Sequence, residues 1–174
     1  MKTSVFIATS LDGFIARQDG GLDWLPAGGG EPHGYDEFIA TVDALVIGRN
    51  TFEIVSKFDA WPYGKKPVIV LSTTMSELKA PDGAVCDLMA GSPAEIVARL
   101  AQQGMKHLYI DGGVTIQGFL KAGLIQRLII TRIPVLLGNG IPLFGSQSHD
   151  VRLDHVGTRS YASGMVQSEY VIAG

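Results

Sequence analysis

Three short stretches of this chain present glycine, hydroxyl or positive groups at the ends of apolar runs. Asp111-Gly112-Gly113 follows Leu108-Tyr109-Ile110 and precedes Ile116, Phe119, Leu120 and Gly123-Leu124 at helical spacing. Gly48-Arg49-Asn50-Thr51 follows the buried run Ala44 to Ile47 and opens a helical stretch from Phe52 to Lys57, while Ser72-Thr73-Thr74 ends the strand-like run Pro67 to Leu71. Glycine at such a turn lets an anionic ligand approach backbone N–H groups, and a helix N-terminus adds positive partial charge. The chemistry this serves is binding of a phosphate-bearing ligand, with a nucleotide as the leading candidate. Taken singly, Gly112-Gly113 also reads as a tight turn that needs unusual backbone angles, since it is not a GxGxxG fingerprint. Three such turns together favour the ligand, because open α/β sheets bind ligands outside the carboxyl ends of their strands.

Other reactive groups are sparse. Cys86 is the single cysteine, which excludes an internal disulfide and a multi-thiolate zinc site, and its apolar setting from Ala84 to Leu88 reads as a buried thiol. His33, His107, His149 and His155 share no metal-ligand spacing, so no metal is expected. Asp12 before Gly13 forms a turn or touches a substrate. Trp24, alone in a glycine-rich loop, caps a ring-shaped substrate or anchors the loop, and the cap is preferred. Glu53 and Asp59 read as solvated surface.

The elements that position these residues follow from periodicity. Lys2 to Thr9 is a first central strand that bends at Ser10-Leu11-Asp12-Gly13 before Phe14-Ile15-Ala16 resumes. Gln18 to Gly34, with Gly20-Gly21 and Gly28-Gly29-Gly30, has the composition of a mobile functional loop. Tyr35 to Val42 is helical, and Ser92-Pro93-Ala94-Glu95 is a capped helix start. Leu128 to Ile133 follows the helix after Gly113 so soon that it is placed directly beside the Leu108 strand, parallel to it. Leu137 to Pro142 is a turn-rich loop, and Val151 to Ser160 with Met165 to Ile172 form an antiparallel hairpin at the sheet edge. The fold class is α/β, a three-layer αβα sandwich with a mostly parallel central sheet.

Composition bounds the partners. A length of 174 residues suits one domain, and 46% hydrophobic with 18% charged residues calls for a large core or for apolar surface buried between subunits. That content and the edge hairpin predict a homodimer. A net charge of -3 provides no basic field, so a small molecule is a better partner than nucleic acid or an anionic membrane. The chain shows no signal-peptide pattern and no apolar run of membrane length, so a soluble cytoplasmic protein is expected.

Ser10-Leu11-Asp12-Gly13 with Ile15-Ala16, Asp43 to Gly48 with Thr51, Asp111-Gly112-Gly113 with Phe119-Leu120, and Pro134 with Gly138 and Gly140 occur in that order. This set resembles the reductase domain of the bifunctional riboflavin-biosynthesis deaminase-reductase and, more distantly, dihydrofolate reductase, whose fold that domain shares. The resemblance implies an NADPH-dependent reductase similar to 5-amino-6-(5-phosphoribosylamino)uracil reductase, acting on a small heterocyclic or carbonyl substrate. It implies NADPH with Gly48, Arg49, Asn50 and Thr51 near its phosphates, Leu71, Ser72 and Thr73 near the adenosine end, and Ile110, Asp111, Gly112, Gly113, Val114 and Thr115 along the pyrophosphate. Ala8, Ser10, Asp12 and Ile15 would line the nicotinamide and substrate, with Trp24 and Phe38 as further substrate contacts. Gly113→Val is expected to abolish cofactor binding in a protein that still folds.

Two departures bear on the substrate. The bifunctional enzymes carry an acidic-proline stretch followed by an arginine after the second turn, whereas this chain has Glu53 to Lys66 without that pattern, and it lacks the His-x-Glu and paired cysteines of a zinc deaminase. Dihydrofolate reductases place an acid four residues before the Phe38 equivalent, where this chain has Gly34, leaving Asp36 as the substitute acid on that helix. The alternatives are therefore a dihydrofolate reductase and a non-catalytic nucleotide-binding homodimer of the same fold.

Overall fold

Strand β1 (Lys2–Ser10) lies inside a run of six parallel strands because its central residues, Val5 to Ala8, are apolar on both faces, and both faces are covered by helices. The computed structural model describes residues 1–27 and 30–173, so Gly28 and Gly29 of the glycine-rich loop lie outside the described residues. The other strands are β2 (Phe14–Ala16), β3 (Ala44–Gly48), β4 (Val68–Leu71), β5 (Cys86–Met89), β6 (His107–Asp111), β7 (Arg127–Ile133), β8 (Ile141–Pro142), β9 (Leu153–Ser160) and β10 (Val166–Ile172). The helices are α1 (Tyr35–Ala40), α2 (Arg49–Val55), α3 (Pro93–Gln102) and α4 (Gly113–Lys121). One eight-stranded sheet has the order β5-β4-β3-β6-β1-β7-β10-β9, parallel from β5 to β7 and antiparallel at β7-β10 and β10-β9.

Strand alternation sorts the core into two layers. Phe6, Leu45, Ile47, Val68, Val70 and Tyr109 pack against Phe38 of α1 and Phe52 and Val55 of α2. Val5, Val46, Ile69, Leu108 and Ile110 face the other way, onto Ile96 and Leu100 of α3 and Ile116, Phe119 and Leu120 of α4. The three-layer αβα sandwich with a mostly parallel sheet and an antiparallel C-terminal hairpin is thus the fold. Helix α3 starts as its sequence predicts: the Ser92 hydroxyl accepts the Glu95 N–H at 3.3 Å, and the Glu95 carboxylate accepts the Ser92 N–H at 2.7 Å.

Two expectations are corrected. Strands β6 and β7 are parallel, but β1 lies between them, pairing Ser4 with both Tyr109 and Arg127. A crossover through α4 spans two strand spacings of roughly 4.8 Å each as readily as one. Local spacing therefore fixes the direction of β7 and leaves its neighbour open. Secondly, Ile141–Pro142 is not merely loop: it pairs antiparallel with β2 in a separate two-stranded ribbon. Gly140 permits that approach, since an added Cβ would overlap the Ala16 carbonyl oxygen.

Candidate active site

Strands β4, β3, β6 and β1 are consecutive in the sheet, so the turns singled out in the sequence lie side by side at its carboxyl edge. A cavity of about 620 Å³ opens across that edge. The β3–α2 turn contributes Gly48, Arg49, Asn50 and Thr51, and the β6–α4 turn contributes Asp111, Gly112, Gly113, Val114 and Thr115. Ala8, Ile15 and Leu71 complete the set of predicted residues that line it.

The two turns interlock through their glycines. Gly112 has φ +90°, and an added Cβ there would overlap the Thr51 hydroxyl. Reciprocally, a Cβ on Gly48 would come within 3.0 Å of the Thr115 hydroxyl. Neither α2 nor α4 has a side-chain cap, whereas α3 closes its own start with Ser92 and Glu95. The first-turn N–H groups of α4 thus lack a side-chain acceptor at the cavity wall, the arrangement that suits an anion. Gly113 also lines the cavity, and a Cβ there would meet Ile15 at 3.1 Å and Ile141 and the Pro142 carbonyl at 3.3 Å, within the β2–β8 ribbon. Gly113→Val would therefore disturb packing there as well, whereas an added Cβ on Gly112 meets the neighbouring turn.

Arg49 stands at the cavity mouth. Its Nη1 donates to the Thr74 hydroxyl at 3.2 Å, while its Nε lies 3.6 Å from the Glu53 carboxylate. Ser72 accepts the N–H groups of Thr74 at 3.2 Å and Met75 at 3.0 Å, which shapes the turn after β4. Ser72 and Thr73 border the cavity region through this turn but do not line the cavity itself.

Several predicted residues lie elsewhere. Asp12 accepts the Ser10 hydroxyl at 2.6 Å and the N–H groups of Leu137 at 3.2 Å and Gly138 at 2.8 Å, fastening the bend after β1 to the 137–138 turn. The Ser10 hydrogen bond leads the effects that hold its carboxyl below the usual range. Asp36 is exposed on α1, and neither carboxylate lines the cavity. Ser10 is buried, and its hydroxyl also accepts the Phe14 N–H at 3.0 Å. Phe38 is core, with its ring centroid 5.0 Å from that of Phe6 and 5.1 Å from that of Tyr109. Ile110 is fully buried on the α3–α4 face. Trp24 is half-buried away from the cavity, and its neighbours Leu22 and Leu25 line it instead.

Two features were not read from the sequence. One is an aromatic and aliphatic wall made by Phe6, Tyr109, Ile54, Phe58, Pro62 and Tyr63. The other is the Asp111 side chain itself. Alternation along β6 puts Asp111 on the same sheet face as Tyr109, and burial pushes its carboxyl up to about 6 although Oδ1 accepts the Gly112 N–H at 2.8 Å. Burial first, then the Asp111 charge, raises the hydroxyl pKa values of Tyr63 and Tyr109. The signal available in the sequence was the spacing of two between Tyr109 and Asp111.

The fold is an α/β fold of the dihydrofolate reductase-like type. The RibD C-terminal domain model matches residues 2–167, and the chain belongs to that family. It is 38% identical to the uncharacterised protein YwjB of Bacillus subtilis, over 99% of this chain and 98% of that protein. A crystal structure from Shewanella sp. PV-4, of a protein whose name connects it to riboflavin biosynthesis, superposes with a TM-score of 0.90 at 43% identity over the full length of both chains. The Thermotoga maritima diaminohydroxyphosphoribosylaminopyrimidine deaminase/5-amino-6-(5-phosphoribosylamino)uracil reductase shares the fold at TM-score 0.77 and 15% identity, with 99% of this chain covering 56% of that one. Dihydrofolate reductase from Enterococcus faecalis, in complex with NADP(H), shares it at TM-score 0.69 and 21% identity over 99% and 97% of the two chains.

Proposed function

We propose that this protein is an NADPH-dependent reductase that transfers hydride to a small heterocyclic or carbonyl substrate, a reaction of the same type as that of 5-amino-6-(5-phosphoribosylamino)uracil reductase. The observation that carries the reading is the pair of interlocked, uncapped glycine turns opening into one cavity that also holds a half-buried carboxyl. Gly48, Asn50, Thr51 and Gly112 to Thr115 hold the cofactor phosphates, Arg49 with the hydroxyls of Ser72, Thr73 and Thr74 holds the 2′-phosphate end, and Leu71 packs near the adenosine. NADPH, when bound, supplies the hydride. The chain positions and encloses: Ala8 and Ile15 flank the reacting carbon, and the aromatic wall excludes water from it. Hydride addition to C=N or C=O leaves the heteroatom needing a proton. Asp111 is the acid in the cavity wall, with Oδ1 occupied by Gly112 N–H and Oδ2 left to carry the proton. A carboxyl raised to about 6 is suited to give up that proton near neutrality. The test is NADPH titration by fluorescence followed by oxidation at 340 nm with candidate substrates; binding with no oxidation by any of them would favour a non-catalytic nucleotide-binding module.

Arg49 sets cofactor choice in this reading. A charge-assisted hydrogen bond contributes on the order of 1.5–3 kcal/mol, so Arg49→Ala is expected to weaken NADPH roughly ten- to a hundredfold and to leave NADH nearly unchanged. The competing contact with Glu53 is exposed and long at 3.6 Å, so its loss contributes only a few tenths of a kcal/mol. Equal changes in the two dissociation constants would remove 2′-phosphate recognition from this residue.

We also propose a homodimer. Strand β9 is the sheet edge, almost wholly exposed, and presents Leu153 and Val156 at 40% and 56% exposure. An unpaired edge with apolar side chains is a pairing surface. Light scattering is expected to give twice the 18.6 kDa chain mass at micromolar concentration, and Val156→Lys to shift it toward the single-chain value.

A further inference from the structure

The cavity has two unlike halves, and among the described residues its positive charge belongs to one of them. At the phosphate-suited half lie Gly48 to Thr51 and Gly112 to Thr115, with Arg49 the single cationic side chain among the described residues that line the cavity. The other half, on the α1–α2 face of the sheet, is bounded by Phe6, Leu22, Leu25, Phe58, Pro62 and Tyr63, over a floor that contains Tyr109 and Asp111. From this division we infer that the substrate half of the cavity takes an uncharged planar ring compound without a phosphate group, one that presents N–H donors to the Asp111 carboxyl. The inference rests on the reductase reading and narrows its substrate.

The cations nearest in sequence to this half are engaged or lie outside it. Arg17 forms a two-pronged pair with Asp23 at 2.6 and 2.9 Å. Lys66 donates to the Val42 carbonyl at 2.7 Å. Lys57 is exposed beside Phe58 and does not line the cavity. The His33 ring packs tilted against Phe6 at 5.5 Å, its Nδ1 lies 2.9 Å from the Glu31 carbonyl, and it does not line the cavity either. The polar groups on the floor reinforce the exclusion. Tyr109 donates its hydroxyl hydrogen to the Phe6 carbonyl at 2.7 Å, so that proton is unavailable to an anion. Asp111 brings no positive charge, and its carboxyl, when ionised, would repel a second anion. A phosphate ester placed here would lose its hydration with no cation in return, which a buried dianion does not tolerate. A flat neutral ring instead stacks on the aromatic wall and directs N–H groups at the Asp111 carboxyl.

The experiment uses three matched probes: 5,6-diaminouracil, its 6-ribosylamino derivative, and the 5-phosphate of that derivative, which is 5-amino-6-(5-phosphoribosylamino)uracil. NADPH binding is measured first and alone, so a failure of the reductase reading shows as absence of that binding. Each probe is then titrated by calorimetry into the protein with and without NADPH. The free base is expected to bind at least about tenfold more tightly than the phosphorylated compound, because like-charge juxtaposition and unpaired desolvation both oppose the phosphate. Phe58→Arg, at a half-exposed wall position where a cation can be accommodated, is expected to reverse or abolish that preference. Equal or tighter binding of the phosphorylated compound by the unsubstituted protein, or no binding of the free base at millimolar concentration, overturns the inference whatever NADPH does.

Discussion

Replacing Gly112 by alanine is expected to weaken NADPH binding by more than a hundredfold and to lower stability by about 1–3 kcal/mol, the usual cost of holding a non-glycine residue in a sparsely populated backbone region. The position combines φ +90° with an added Cβ that would overlap the Thr51 hydroxyl. Alanine therefore both strains the turn and drives the β6–α4 loop away from the β3–α2 loop, which opens the cradle the cofactor phosphates would occupy. Adding Thr51→Ala removes the overlap and leaves the backbone strain, so the double variant should recover part of the stability and part of the affinity. Gly113→Ala is the contrasting variant. Its Cβ would press on Ile15, Ile141 and the Pro142 carbonyl at 3.1–3.3 Å, so it is expected to act on packing of the β2–β8 ribbon. Fluorescence titration with NADPH and urea denaturation measure both quantities. Wild-type affinity in Gly112→Ala would show that the interlocked turns have no part in cofactor binding.

Replacing Asp111 by asparagine is expected to lower kcat by about a hundred- to a thousandfold while raising stability at neutral pH, since general acids typically contribute 10²–10⁴ in rate. The sign of the stability change follows from linkage. The folded carboxyl is raised from 3.8 to about 6, so its contribution is present below about pH 4 and is lost as pH rises through 6. At pH 7 the buried charge costs the fold up to about 3 kcal/mol, from roughly two pKa units at 1.36 kcal/mol each. Urea melts at pH 4, 5, 6 and 7 should therefore show wild type and Asp111→Asn alike at pH 4 and separating up to pH 6, with the variant the more stable. In turnover, wild-type kcat/KM should fall as pH rises above about 6, where the acid of the free enzyme loses its proton, and the variant's residual rate should be flat across that range. A variant with wild-type kcat removes Asp111 from the proton step. A variant no more stable than wild type at pH 7 would mean that its charge is well solvated.

The amino-acid sequence by itself determined the parts of this protein that depend on neighbours in the chain. Apolar runs such as Ala44 to Ile47 dictate buried strands, Ser92 to Glu95 dictates a helix start, and the glycine and hydroxyl residues after β3, β4 and β6 mark the carboxyl edge where the cavity opens. Residue order also carries the family resemblance. What only the tertiary structure decided is which of these parts touch. Placing β1 between β6 and β7 is a choice among strands of similar apolar character, and nothing local distinguishes it. The reciprocal fit of Gly48 against Thr115 and of Gly112 against Thr51 joins residues more than 60 positions apart, so the distinct roles of Gly112 and Gly113 exist only once the two turns meet. Asp12 and Phe38 illustrate the same limit from the other side: their residue types suit a substrate site, but the 137–138 backbone occupies one and the aromatic core absorbs the other. The raised carboxyl of Asp111 arises because β6 points it at the face where Tyr109 and Tyr63 withdraw it from water, and solvation is a property of the assembled site rather than of the residue.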